Sequence, residues 1–215
     1  MLTDNSVPVA SKAAPARSGP SLSADAHLQA SRRLDWRFLL PDPNLGHVAC
    51  VGAGQGELVN SLRLFSDSLT LLASPEVGQE TDYDVVVAHA PEPAHLPAMA
   101  GLVASGGALY LELYGTSWWL RKGQYKGLRH PAKFVAQLKR ANLGQIHAYW
   151  CWPNFHACTR IIPLDHASSL RFALSSPQNS PIEPVKTMAI QGLIRSGLLA
   201  RLVPCFSLVA RRVTP

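Results

Sequence analysis

A short apolar run, His47–Val51, leads straight into glycines at alternate positions, Gly52, Gly54 and Gly56, and then into a helically patterned stretch, Glu57–Phe65. Strand, glycine turn and helix in that order make a corner that something approaches closely. Residues without a Cβ leave room beside the backbone, and a helix N-terminus presents free N–H groups. The spacing narrows the choice of ligand. A dinucleotide fingerprint places its third glycine where Glu57 stands, which disfavours NAD and FAD. No lysine followed by Ser or Thr completes a phosphate loop. The turn residues Gly52, Ala53, Gly54, Gln55 and Gly56 are the first candidates for ligand contact.

The rest of the chain keeps the alternation. SLTLLAS (68–74), YDVVVAHA (83–90) and ALYLELYG (108–115) read as strands. The intervals 95–104 and 131–141 read as helices, the first ended by Gly106 and Gly107 and the second by Gly144. Lys139 and Arg140 suit the negative end of the second helix. Strands alternating with helices predict an α/β fold with a mostly parallel sheet, and near-continuous apolar strands fit burial on both faces. Beyond it, 145–152 and 157–164 read as two strands around a loop, 166–174 as a helix, 185–202 as a basic amphipathic helix packed on the sheet, and 205–213 as a closing strand. The elements from about 145 to 204 form a C-terminal cap. Residues 1–30 are Ser, Ala and Pro with few large apolar groups and are expected to be a disordered tail, with the domain spanning 31–215. SRRLDWRFLLPDP reads as a short helix or arm leading in.

Composition sets outer limits. A chain of 215 residues with 47% hydrophobic residues fits one domain with attachments. A net charge of +6 hints at an anionic partner, while 16% charged residues is too few for a dedicated nucleic-acid coat. Cys50, Cys151, Cys158 and Cys205 contain no CxxC pair and read as reduced thiols of a cytoplasmic protein. Cys151, His156 and Cys158 fall short of a four-ligand metal set. No uninterrupted apolar run is long enough for a membrane span.

The GxGxG turn after a first strand resembles motif I of class I S-adenosylmethionine-dependent methyltransferases. YDVVVAHAPEP is similar to that family's fourth-strand motif. The helix, the glycine pair and ALYLELYG resemble its fifth-strand segment, and CFSLVARRV its closing antiparallel strand. The resemblance covers roughly 45–213 and implies a reduced Rossmann-like sheet with flanking helices and an antiparallel C-terminal strand. It implies S-adenosylmethionine as cofactor, held by Gly52, Ala53, Gly54, Gln55, Gly56 and His89, with Ser74 and Glu76 where the family holds the ribose. Cys50 replaces an acidic residue usual in the family, and Ser74 replaces the acid that usually ends the second strand. The interval between Ser74 and Tyr83 is too short for the family's next helix and strand, so a smaller sheet is expected.

Methyl transfer needs an acceptor aligned with the methyl group and often a base for its proton. Ligands in such sheets sit beyond the carboxyl ends of the strands. His89, at the end of the third run, is the first candidate base. Glu112 and Tyr114 share one face of the next strand; Glu112 either orients an acceptor or pairs with an arginine. Trp118, Trp119, Arg121, Tyr125 and His130 combine aromatic area with cations over the acceptor. Trp152, with Trp150, Phe155 and His156, is expected on the acceptor side. The reading is methyl transfer to O or N of a small, anionic or sugar-containing molecule in biosynthesis. Its rivals are a degenerate binding or scaffold subunit with a protein partner, and an enzyme of different chemistry on the same fold. RNA modification is the weakest.

Overall fold

The computed structural model describes residues 23–52, 56–75, 82–115, 131–174, 188, 191–194 and 196–213. Among these residues seven strands form one sheet: β1 (His47–Val51), β2 (Ser68–Leu72), β3 (Tyr83–His89), β4 (Val103–Tyr114), β5 (Leu143–Trp152), β6 (Arg160–Pro163) and β7 (Cys205–Arg212). Their spatial order is β2-β1-β3-β4-β7-β5-β6. The pairs β2–β1, β1–β3 and β3–β4 are parallel, so their carboxyl ends share one edge. β7 runs antiparallel to both β4 and β5, and β6 antiparallel to β5.

Alternation along the strands divides the core between two faces. Val48, Cys50, Val85, Val87 and Tyr110 point to one face, covered by α1 (Ala24–Arg33), a 3-10 arm (Asp35–Leu39) and α2 (Glu57–Phe65). Ala49, Val51, Val86, Leu109, Leu111 and Phe206 point to the other, covered by α3 (Leu96–Leu102), α4 (Pro131–Arg140) and α5 (Ala167–Leu174). The four buried residues of β1 and of β3 confirm that these strands are covered on both sides.

Several expectations are corrected. α1 begins at Ala24, inside the segment 1–30 expected to be disordered. Composition concealed its local signals: Ser23 caps the helix by accepting a bond from the Ala26 amide at 3.3 Å, and Arg32 and Arg33 close it. Gly106 and Gly107 lie within β4, not between a helix and a strand. Gly106 takes φ +79°, and a Cβ on Gly107 would stand 2.8 Å from the Asp84 carbonyl oxygen. The pair therefore serves the irregular register between β3 and β4. α4 ends at Arg140 and turns through Asn142 at φ +60°, so Asn142 rather than Gly144 stops it. The helix expected over 185–202 is interrupted by a turn at Ser196 and Gly197, the latter at φ +68°, before a short helix, Leu199–Leu202. The short interval between Ser74 and Tyr83 adds no strand beyond β2 among the described residues, as expected. Among the described residues β2 is one edge strand, and β6 extends the opposite edge. No helix among the described residues is long and apolar enough to cross a membrane.

Gly115 ends β4 against the chain that enters β7, its amide donating to the Pro204 carbonyl at 2.9 Å. A Cβ there would collide with the Val203 carbonyl oxygen. Gly115→Ala is expected to destabilise the fold by about 1–3 kcal/mol through overpacking, measured by chemical denaturation.

Candidate active site

The carboxyl edge of the parallel strands carries the candidate side chains His89, Glu112 and Tyr114. β1 ends at Gly52, which adopts φ +70° and donates its amide to the Leu72 carbonyl at 2.8 Å. Gly56 caps α2, its carbonyl accepting from the Asn60 amide at 3.0 Å. A Cβ added to Gly52 or to Gly56 meets nothing within 4 Å among the described residues. Ser74 is exposed just beyond β2. Ala53, Gly54, Gln55, Glu76, Trp118, Trp119, Arg121, Tyr125 and His130 lie outside the described residues.

His89 and Glu112 are register partners on β3 and β4. The turn after His89 puts Ala90 at φ +47° and directs its amide to the Glu112 carbonyl at 2.7 Å. Glu112 has no solvent exposure. Arg33, at the end of α1, donates to both carboxylate oxygens, at 2.5 and 2.7 Å. His89 Nδ1 lies 2.7 Å from Glu112 Oε2. An ionised carboxylate only accepts, so Nδ1 carries the proton and Nε2 is the acceptor nitrogen of the ring. That nitrogen stands 3.4 Å from the Tyr114 hydroxyl. Phe155 closes the group, its ring edge-on to His89 at 6.1 Å and to Tyr114 at 5.7 Å. His89 remains 31% exposed.

Burial pushes the Glu112 carboxyl up, but the bonds from His89 and Arg33 outweigh it and hold the group below its ordinary range. Burial works against the Arg33 charge, and the carboxylate more than restores it. Burial and the neighbouring carboxylate together push the Tyr110 phenol well up. Cys50 is a buried thiol raised by desolvation to about 11.

The structure thus brings His89, Glu112 and Tyr114 together. It sets Trp152 apart. Trp152 packs edge-on against Trp150 at 5.1 Å, and Trp150 belongs to the opposite face of the sheet. Strand alternation is the reason: Cys151, between the two tryptophans, is the β5 residue that faces the His89 side. Phe155 does reach His89, whereas His156 turns outward to Glu57 at 2.9 Å. Arg33 is the residue sequence reasoning missed. Nothing in SRRLDW distinguishes it from Arg32, and only the three-dimensional path of α1 makes it the partner of Glu112.

No family model matches the sequence, and no curated protein matches it either. Solved structures do match. An S-adenosylmethionine-dependent methyltransferase of Archaeoglobus fulgidus superposes with TM-score 0.50 at 11% identity, covering 86% of this chain and 94% of that one. A Thermotoga maritima S-adenosylmethionine-dependent methyltransferase gives 0.48 at 8% identity, covering 88% and 91%. Phosphoethanolamine N-methyltransferase 2 of Haemonchus contortus gives 0.47 at 11% identity, covering 89% of this chain. The present chain spans about half of that protein, 53%. Strand order and the Archaeoglobus likeness together define a class I methyltransferase fold, Rossmann-like with an antiparallel closing strand.

Ionised Glu112 favours the folded state above its ordinary value of 4.5, because its folded value is lower. That contribution disappears as pH falls through the folded value. Glu112→Gln, which leaves Arg33 buried without its counter-charge, is expected to cost about 3 kcal/mol at pH 7. Denaturation midpoints measured from pH 7 down to 3 should show the gap between the two proteins closing below 4.5.

Proposed function

We propose that this protein is a cytoplasmic, biosynthetic methyltransferase that uses S-adenosylmethionine to methylate an oxygen or nitrogen of a small molecule. The observation that carries this reading is the His89 imidazole, fixed by Glu112 and facing outward at the carboxyl edge where β3 ends. The glycine turn suits the cofactor: Gly52 takes a left-handed conformation, and a Cβ on Gly52 or Gly56 would meet nothing within 4 Å among the described residues. When bound, the cofactor supplies an electrophilic methyl group.

The chain's own residues do the remaining work. His89 Nε2 accepts the proton that the acceptor O–H or N–H gives up. Glu112 receives the Nδ1 hydrogen, fixes the tautomer and stabilises the imidazolium. Arg33 keeps Glu112 ionised. The Tyr114 hydroxyl and the Phe155 ring bound the site around Nε2 and limit water there. Trp118, Trp119, Arg121, Tyr125 and His130 supply acceptor contacts in this reading, and their cations suit a phosphate, carboxylate or sugar-bearing molecule.

Calorimetric titration with S-adenosylmethionine and with S-adenosylhomocysteine tests the reading. Micromolar binding is expected for the native protein. Gly52→Val, which adds bulk at the turn and strains a left-handed residue, is expected to abolish it. No heat and no thermal shift at millimolar ligand would instead favour a binding subunit that keeps the fold alone, a role to which Cys50 and the exposed Ser74 are better suited than to ribose recognition. Once an acceptor is identified, His89→Asn should lower turnover roughly 100-fold or more while leaving cofactor affinity nearly unchanged.

A further inference from the structure

The loop between β5 and β6 gathers three thiols at one end of the sheet. Cys205 Sγ, at the start of β7, bonds the Cys151 carbonyl at 3.1 Å, and Cys151 Sγ lies 3.6 Å from Ser207 Oγ. Cys158, only partly buried, packs against Cys151, Phe155 and Cys205, and its sulfur approaches the Arg160 carbonyl at 3.4 Å. All are free thiols. Cys151 and Cys158 open on one surface crevice, whose wall also contains Arg33, Asp35, Trp36 and Phe155.

The thiols are not equivalent. Contact with Cys151 and the bond to the Arg160 carbonyl lower Cys158 below the ordinary thiol range against burial and the nearby Asp35 carboxylate, which outweighs Arg33, while the same contact and burial raise Cys151. Burial pushes Cys205 up to about 12. Two further donors on this wall stand ready for negative charge: Arg33 Nε and Trp36 Nε1 are buried and have no hydrogen-bond partner among the described residues. An accessible thiol packed next to a second, buried and protonated thiol in one crevice is the arrangement of an attacking and a resolving cysteine.

We propose that Cys158 and Cys151 are a redox-active pair, with Cys158 reacting first and Cys151 resolving it to an intramolecular disulfide. The oxidant is a hydroperoxide. The Cys158 thiolate attacks its hydroxyl oxygen, an S–O bond forms, the O–O bond breaks, and an alkoxide or hydroxide leaves and takes up a proton. Sulfur loses two electrons to become sulfenic acid, and the peroxide gains them. The Cys151 sulfur then attacks the sulfenic sulfur; the S–S bond forms, the S–O bond breaks, and water departs with the Cys151 proton. The new bond closes the loop that carries Phe155, the residue walling His89 and Tyr114.

The test is oxidation of the full-length protein with hydrogen peroxide, followed by peptide mapping without reduction. A Cys151–Cys158 cross-link that dithiothreitol reverses is expected. Cys151→Ser should stop at sulfenic acid, trapped by dimedone on Cys158. Cys158→Ser should lose both cross-link and label, with its circular dichroism spectrum unchanged. A cross-link or dimedone label on other cysteines, or a Cys158→Ser protein that oxidises at the native rate, overturns the proposal. Iodoacetamide labelling of the native protein needs no variant: at pH 7 Cys158 should alkylate roughly 10-fold faster than glutathione. Equal or slower labelling overturns the pair.

Discussion

A fully buried carboxylate at the centre of the sheet constrains everything around it. Moving an ionised carboxyl out of water costs several kcal/mol even after relaxation, and only good geometry with every acceptor site engaged offsets it. Glu112 meets that demand with a two-pronged bond from Arg33 and a third from His89. The group joins three chain segments: Arg33 from the helix α1, His89 from the end of β3 and Glu112 from the body of β4. The network therefore fixes where α1 lies and which way the His89 ring turns. Apolar packing reinforces the first of these. Trp36 stacks on Tyr110 with ring centres 3.8 Å apart and planes within 9°, pinning the arm that follows α1 to the strand that carries Glu112. A helix whose own sequence is mostly polar thus becomes an integral layer of the domain.

The two faces of the sheet differ in polarity. The face under α3, α4 and α5 is built from Leu, Val, Ala and aromatic residues, with Phe134 meeting Phe206 at 6.4 Å. The face under α1 and α2 mixes Cys50, Glu112, Ser207 and Cys151 among its apolar residues. Register explains the clustering: Glu112 pairs with His89 on one side and with Ser207 on the other, and Ser207 pairs in turn with Tyr149. Cross-strand neighbours share a face, so the polar residues form a row across the middle of the sheet rather than scattered defects. The row runs from the candidate base toward the thiols of the β5–β6 loop.

Much of this was legible in sequence, for identifiable reasons. Continuous apolar runs marked β1 and β3 because strands buried on both faces leave no polar alternation to confuse them. The alternation in LYLELY likewise put Glu112 and Tyr114 on one face. Glycine was the less faithful guide. Gly106 and Gly107 looked like a helix stop but serve strand register, and the real stop after α4 is Asn142, which tolerates the left-handed region through its short polar side chain. Gly197 breaks an amphipathic pattern that periodicity alone would have continued. Trp152 was read with its neighbours as one aromatic wall, yet a single step along a strand changes its face. Arg33 was invisible because long-range pairing leaves no local pattern.

The arrangement of the charged group also distinguishes which member suits the proposed proton transfer. Glu112 is fully buried, held below the usual carboxylate range, and occupied on both oxygens. It is therefore poorly placed to take a proton from an acceptor. Arg33 is equally enclosed and has no acceptor capacity. Tyr110, stacked beneath Trp36, is sealed from the surface and held protonated by burial and the nearby carboxylate. His89 alone combines a fixed ring, a fixed tautomer and a nitrogen that reaches the carboxyl edge of the sheet. The buried pair beneath it converts a flexible imidazole into an oriented one, and that orientation is what proton abstraction from a positioned acceptor requires.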